Sequence, residues 1–271
     1  MKIATNAPQW KQFAKANGKE LSKRLFIEEA AAAGCAGVEI SGLDEEFESA
    51  AAARDFLERH NIALAAWQAN IHYSANPACV DAYEKALRDA AEMGVKTIMT
   101  CGGFMSTRRR NTYAFDYDTF AESLGPMVAL AADMGLSIAY HPHWRCICET
   151  LDETRRIVER VPGLQLCVDT GHLAACGSDP VAFIREMGER IIHTHIKDYS
   201  WERDRFAEPG GGDGGGPRTT VDFPACIEAL REVGYDGWLC LELDRPWEPG
   251  MPKPVEITRQ SISYLREHCG V

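Results

Sequence analysis

Five of the eight histidines in this chain fall in three short stretches, and each stretch also carries an acid or an amine. IAYHPHWRCICET holds His141, His143 and, further on, Glu149; CVDTGH holds Asp169 and His172; IIHTHIKD holds His193, His195 and Lys197. A fourth stretch, CLELD, adds Glu242 and Asp244. Imidazole and carboxylate are ligands of divalent ions, and the same groups transfer protons. A single histidine at a strand end is more often an ordinary hydrogen-bonding group, so the joint pattern carries the reading. Charged groups on apolar strands are costly to bury unless they are paired or bound to an ion. Two carboxylates and an imidazole converging at one place would repel or titrate without a cation, which implies a divalent metal site. His60, His72 and His268 stand apart, at helix ends or in loops.

Neighbouring strands are needed to bring such a set together. Short β-branched or apolar runs recur at 2–5, 37–41, 62–67, 95–101, 136–141, 164–169, 191–196 and 238–243. Segments with helical periodicity separate them, among them 81–93, 119–134, 153–161 and 223–233. Gly37, Gly94, Gly135, Gly163 and Gly237 stand at or just before strand starts, where they stop the preceding helix. Strand alternating with helix predicts parallel βαβ units. Eight units of about 34 residues predict an α/β fold of the (β/α)8 TIM-barrel type, one domain over 1–271. The C-terminal strand ends of such a barrel build its functional face, and the chemical stretches lie there. Period two puts His193, His195 and Lys197 on one face of their strand. It groups Asp169 with Cys167, and Glu242 with Cys240 and Asp244. Glu39, on the second run, reads as structural.

Lys and Arg total 29 against 40 for Asp and Glu, and the net charge of −11 makes a poor general binder of phosphate backbones. Nucleic acid is thus not an expected partner. No uncharged apolar run approaches roughly 18 residues, so no membrane span is expected. The opening MKIATNAPQW lacks the pattern of a secretory signal, and the cysteines sit mostly in apolar segments. Reduced thiols and a cytoplasmic location are the expectation. EPGGGDGGGP (208–217) is a glycine-rich loop insertion, either a tolerated flexible segment or a mobile cover over the site. Arg108, Arg109 and Arg110 form a basic run, read as a solvated loop or, with Arg145, as an anion site.

On the stretches AAAGCAGVEI (31–40), IAYHPHWRCICET (138–150), LCVDTGHLAACGSDP (166–180), IIHTHIKD (191–198) and YDGWLCLELD (235–244), the chain resembles the xylose isomerase-like TIM-barrel superfamily. This sugar phosphate isomerase/epimerase group includes inosose dehydratase, keto-sugar 3-epimerases and hydroxypyruvate isomerase. The resemblance implies one divalent ion, manganese first and cobalt, magnesium or zinc as alternatives. A Glu, an Asp, a His and a second Glu hold it. Carried over, Asp169, His195 and Glu242 fill three places. Ala139 is the nearest inward position before HPH, so the first Glu falls on Glu149, with His141 or His143 as alternatives.

The same resemblance implies roles. Glu149 and Glu242 serve as ligands and acid/base, and His141 as a base or substrate hydrogen-bonder. Lys197 stabilises an enolate oxygen or a leaving hydroxyl. His143, His172 and Arg145 contact substrate, and Trp10, Trp67 and Trp144 wall the pocket. The implied substrate is a small keto-sugar or polyol. The implied activity is isomerisation or epimerisation by proton abstraction next to a metal-polarised carbonyl, through an enediolate. The alternative is β-elimination of the inosose dehydratase type. A non-catalytic sugar-binding or partner subunit is the alternative of another class, and the charge weighs against a nuclease of this fold. Relatives that form dimers or tetramers imply a homo-oligomer.

Overall fold

Strand and helix alternate along this chain until the sheet closes on itself. The computed structural model describes residues 1–42, 46–69, 77–103, 114–212 and 220–271. Their strands are β1 (Lys2–Thr5), β2 (Gly37–Ile40), β3 (Ala63–Gln68), β4 (Thr97–Thr100), β5 (Ser137–Tyr140), β6 (Gln165–Asp169), β7 (Ile191–Ile196), β8 (Asp198–Ser200), β9 (Arg205–Ala207) and β10 (Trp238–Leu241). All but β8 and β9 form a closed parallel barrel in the order β1-β10-β7-β6-β5-β4-β3-β2. The helices are α1 (Pro8–Ala16), α2 (Lys23–Ala33), α3 (Ala50–Arg59), α4 (Pro77–Met93), α5 (Ala114–Asp133), α6 (Leu151–Arg160), α7 (Thr170–Ala175), α8 (Pro180–Met187), α9 (Phe223–Glu232) and α10 (Pro254–Cys269). The eight expected strand runs are the eight barrel strands, and the four expected helices correspond to α4, α5, α6 and α9, matching to within a residue at their C-terminal ends while α4, α5 and α6 begin earlier than expected. The hairpin β8–β9, directly after β7, has no counterpart among the expected elements.

Alternation along each strand sorts side chains into two layers. Outward residues such as Val38, Ile40, Ile98, Tyr140, Leu166, Val168 and Leu239 join the helices' Phe26, Leu87, Leu124, Ile157, Phe183 and Leu265 in one large buried core. Each such side chain removed from water contributes about 1.5–3 kcal/mol. The apolar residues of the inward layer are mostly small: Ala4, Ala65 and Cys240 in one cluster, and Ala66, Ala139 and Cys167 with the longer Met99 in another. This leaves room inside the barrel for long polar side chains.

One irregularity redirects a large side chain. The β2–β3 register shifts between Val38 and Glu39, so that Val38 faces Leu64 while Glu39 faces Ala66. The extra residue on β3 resets its phase and turns Trp67 outward, beside Ile40 and Ile98 in the helix-facing core. The expectation that Trp67 walls the pocket is corrected by this bulge.

Asp198, fully buried, organises the segment after β7. Its Oδ1 accepts the N–H of Tyr199 at 2.8 Å and of Val221 at 3.2 Å, and Oδ2 accepts the N–H of Gly212 at 3.1 Å. Half of the glycine-rich stretch, 213–217, lies outside the described residues, as do His72 and Arg108, Arg109 and Arg110. Cys35, Cys101, Cys146, Cys148, Cys167, Cys176, Cys226, Cys240 and Cys269 are all free thiols. Among the described residues no helix is long and apolar enough to cross a membrane.

Candidate functional site

Each of the late strands delivers its polar residue through a local device. β7 alternates, sending His193, His195 and then Lys197 into the interior, all completely buried. β6 runs straight into α7, and Asp169 is the N-cap of that helix. Its Oδ1 accepts the His172 N–H at 2.8 Å, which satisfies an open helix end and fixes the rotamer. Oδ2 is thereby left facing the interior. Glu242 follows β10, and its Oε1 accepts from Asn6 Nδ2 at 2.6 Å. His141 follows β5 on the inward phase of Ala139, with Nε2 3.1 Å from Asp169 Oδ2.

Lys197 occupies the middle of the acids. Its Nζ lies 2.5 Å from Glu242 Oε2, 2.6 Å from Asp244 Oδ2 and 3.1 Å from Asp169 Oδ2. The Thr170 hydroxyl pins its backbone, donating to Lys197 O at 2.7 Å and accepting from Lys197 N at 3.2 Å. Gly171 is required for this approach, because a Cβ there would come within 2.4 Å of Lys197 Cγ and 3.1 Å of its carbonyl oxygen. Gly171→Ala should displace Lys197 and cost about 1–3 kcal/mol, read as a lowered melting temperature together with reduced turnover. A melting temperature equal to the parent's would refute that packing account.

Aromatic and imidazole rings form the rim. His143 and His172 stack with centroids 3.7 Å apart, and Phe206 from the hairpin packs edge-on to His172 at 4.6 Å. Phe206 also lies 4.9 Å from Lys197 Nζ, and Trp144 approaches Phe206 edge-on at 6.0 Å. His172 Nε2 is 3.4 Å from Asp244 Oδ2. Flat apolar faces beside hydrogen-bonding rings suit a polyol, which presents C–H faces and hydroxyls together.

Charge states follow from these neighbours. Burial, with His141 and Lys197 nearby, pushes His143 down to about 4, and burial with Lys197 lowers His172 well below its usual value. Both rings are neutral near pH 7 and can accept hydrogen bonds. Burial alone would also favour neutral His195, yet the carboxylates Glu242 and Glu39 hold it well above the ordinary range. Burial and Asp244 push the Glu242 carboxyl up, but His195 and Lys197 outweigh them and hold it at about 2. Burial opposes the charge on Lys197, and Asp169, Asp244 and Glu242 more than compensate.

The donor set passes a test for a cation. Asp169 Oδ2, His141 Nε2 and His195 Nδ1 are buried with no hydrogen bond of acceptable geometry, although they crowd together. Ligand-type atoms of His141, Asp169 and His195 lie within 4.8 Å of one another, as do those of Asp169, His172 and Glu242. Buried polar atoms without aligned hydrogen bonds are costly even with Lys197 Nζ 3.1 Å from Asp169 Oδ2, and a shared divalent ion, taking the place of the proton on His195 Nδ1, would relieve that cost. Carboxylate and imidazole together suit manganese, zinc, cobalt or magnesium.

Several expected site residues lie elsewhere. The Glu149 carboxylate turns back to the backbone N–H of Arg145 and belongs to none of these ligand groups, whereas His141 belongs to one. The reason is the tight turn after β5, closed by His143 N–H to Cys148 O, which carries the chain away from the interior before Glu149. Trp10 sits on α1, donates from its indole to Glu29 at 2.7 Å and packs on Phe26, so its pocket role is also corrected. Arg145 is exposed, with its guanidinium 4.1 Å above the Trp144 ring. Strand-end motifs gave no sign of Asn6, Phe206 or the reach of Glu39, which accepts from His193 Nε2 at 2.9 Å and His195 Nε2 at 3.0 Å. Burial raises the Glu39 carboxyl, but the two imidazoles bring it down to about 2.

Comparison with known proteins bears on the fold and the family. An inosose dehydratase of Geobacillus thermodenitrificans is 30% identical over 217 residues, 69% of this chain and 70% of that protein. The IolI protein, solved with a bound zinc atom, superposes with a TM-score of 0.78 at 18% identity, covering 99% of both chains. A D-psicose 3-epimerase solved in the presence of D-fructose gives 0.76 at 18% identity over the whole of both chains. At such identities the two structures speak for the fold alone. The pattern of one family runs through residues 27–268, and with the closed barrel it makes this chain a member of the xylose isomerase-like TIM barrel family.

Proposed function

We propose that this protein is a divalent-metal-dependent enzyme that takes a proton from the carbon beside the ketone of a keto-polyol and expels a β-hydroxyl as water. The observation that carries this reading is the contact of Glu242 Oε2 with Lys197 Nζ at 2.5 Å, an acid and a base of unlike kind side by side at the mouth. Inosose dehydratase relatives support the same outcome.

His141, Asp169, His195 and Glu242 are the residues that would hold the ion, which supplies a Lewis acid for the ketone oxygen. Glu242 removes the α-proton; the C–H electron pair becomes the new C=C bond, and the β C–O bond breaks. Lys197 gives a proton to the departing oxygen, so water leaves. Glu242 then returns its proton to Lys197 across their contact, and both groups regain their starting states. His143, His172 and Asp244 orient the remaining hydroxyls, while Phe206 and Trp144 cover the C–H faces and exclude water.

Proton abstraction is common to elimination, isomerisation and epimerisation, so product analysis distinguishes them. Metal-loaded protein incubated with keto-polyols and ketoses in deuterated water should give a product lighter by one water. Deuterium incorporated at constant substrate mass would replace the elimination reading with isomerisation or epimerisation. Neither change, with ligand binding retained, would indicate a non-catalytic sugar-binding protein.

A further inference from the structure

The floor beneath the site holds a carboxylate that proton transfer does not use. Glu39 is buried inside the barrel on β2, and its Oε2 meets His193 Nε2 at 2.9 Å and His195 Nε2 at 3.0 Å. β2 and β7 are not neighbours, since β1 and β10 lie between them. Glu39 spans the interior because the inward residues of those two strands, Ala4 and Cys240, are small.

We infer that Glu39 is a positioning residue of the metal centre, accepting the Nε2–H of His195 so that the Nδ1 lone pair faces the ion. The inference rests on the metal reading proposed above. A neutral imidazole carries one N–H, and the hydrogen bond made by one nitrogen decides which nitrogen is free to ligate. In His195, Nε2 points to Glu39. Nδ1, on the opposite side, is 3.0 Å from Glu242 Oε2 and 3.6 Å from Asp169 Oδ2. His193 braces the arrangement: its Nε2 reaches the same oxygen, so Oε2 sits between two donors and cannot turn from one without losing the other. A carboxylate in this place also makes the ring a more basic ligand than an amide would.

Glu39, His193, His195 and Cys240 also gather ligand-type atoms within 4.8 Å, which raises the question of a second ion. The hydrogen bonding argues against it. Glu39 Oε2 is already engaged by aligned hydrogen bonds from His193 Nε2 and His195 Nε2 at 2.9 and 3.0 Å, whereas Asp169 Oδ2, His141 Nε2 and His195 Nδ1 make none of acceptable geometry.

The test uses the intact protein loaded with zinc and labelled with 15N in histidine. Long-range 1H–15N spectra, with the His195 signals identified by their loss in His195→Gln, should show a protonated Nε2 and a metal-bound Nδ1. Zinc affinity, measured against a chromophoric chelator, should fall about 10–100-fold in Glu39→Gln and at least as far in Glu39→Ala, with folding checked by circular dichroism. Zinc on Nε2, two zinc ions per chain, or a folded Glu39→Gln within about twofold of the parent affinity would each overturn the inference. If the parent binds no zinc, manganese or cobalt, the metal reading falls and takes this inference with it. If the parent binds through Nδ1 while Glu39→Gln binds equally well, the positioning role alone fails. Should neither Glu39 variant fold, the parent spectrum still decides which nitrogen ligates.

Discussion

Lys197→Met is expected to lower turnover by about 10²–10⁴-fold at saturating metal, the range lost with a general acid or base. Methionine keeps much of the side-chain length but leaves Asp169, Glu242 and Asp244 without the ammonium they surround. Removing one partner from a buried charge set costs about 3–5 kcal/mol, because the remaining charges stay buried. The variant should therefore melt well below the parent in chelator. Divalent ion should recover much of that loss, since it binds the folded state and supplies positive charge to the same acids. Turnover should not recover with it. Thermal melts with and without chelator, paired with steady-state rates, separate the two effects. Parent-like melting and turnover would make Lys197 a bystander.

Asp169→Asn should weaken metal binding by more than about 100-fold, beyond the range usual for an outer partner of a ligand. The prediction depends on the two oxygens having separate duties. Oδ1 caps α7 through the His172 N–H, and Oδ2 faces His141, His195 and Lys197. Asparagine preserves a cap acceptor while removing the charge. Alanine loses both, and should cost about 1 kcal/mol more in stability. Chelator competition and melts on the two variants then separate ligation from capping. Near-parental metal affinity in Asp169→Asn would remove Asp169 from the ligand set.

Alternation made much of the site legible in the sequence. His193, His195 and Lys197 fall on one face by period two, and the eight strand runs implied neighbours that could add Asp169 and Glu242. What alternation cannot supply is the partner across a closed barrel. Glu39 meets His193 and His195 more than 150 positions away, and Asn6 meets Glu242 more than 230 away, both through the closure of β1 onto β10. Local backbone events hid the rest. The turn after β5 aims Glu149 at the Arg145 N–H, while His141 lies beside Asp169. One extra residue on β3 inverted the face of Trp67. The hairpin carrying Phe206 is two strands of three residues each, too short for any periodicity to register.

Asp198 has a consequence for loop-closure entropy. Its carboxylate receives the N–H groups of both Gly212 and Val221, so the chain leaves this buried side chain at Gly212 and returns to it at Val221. The ends are brought together by that anchor, whatever the length between them. Closing a chain between two points costs entropy that grows slowly with length, by about 0.6 kcal/mol per doubling. Asp198 holds both points, Gly212 and Val221, while Lys197, one position before it, keeps its place among the acids. One carboxylate thus both closes that stretch of chain and steadies the backbone that carries the ammonium.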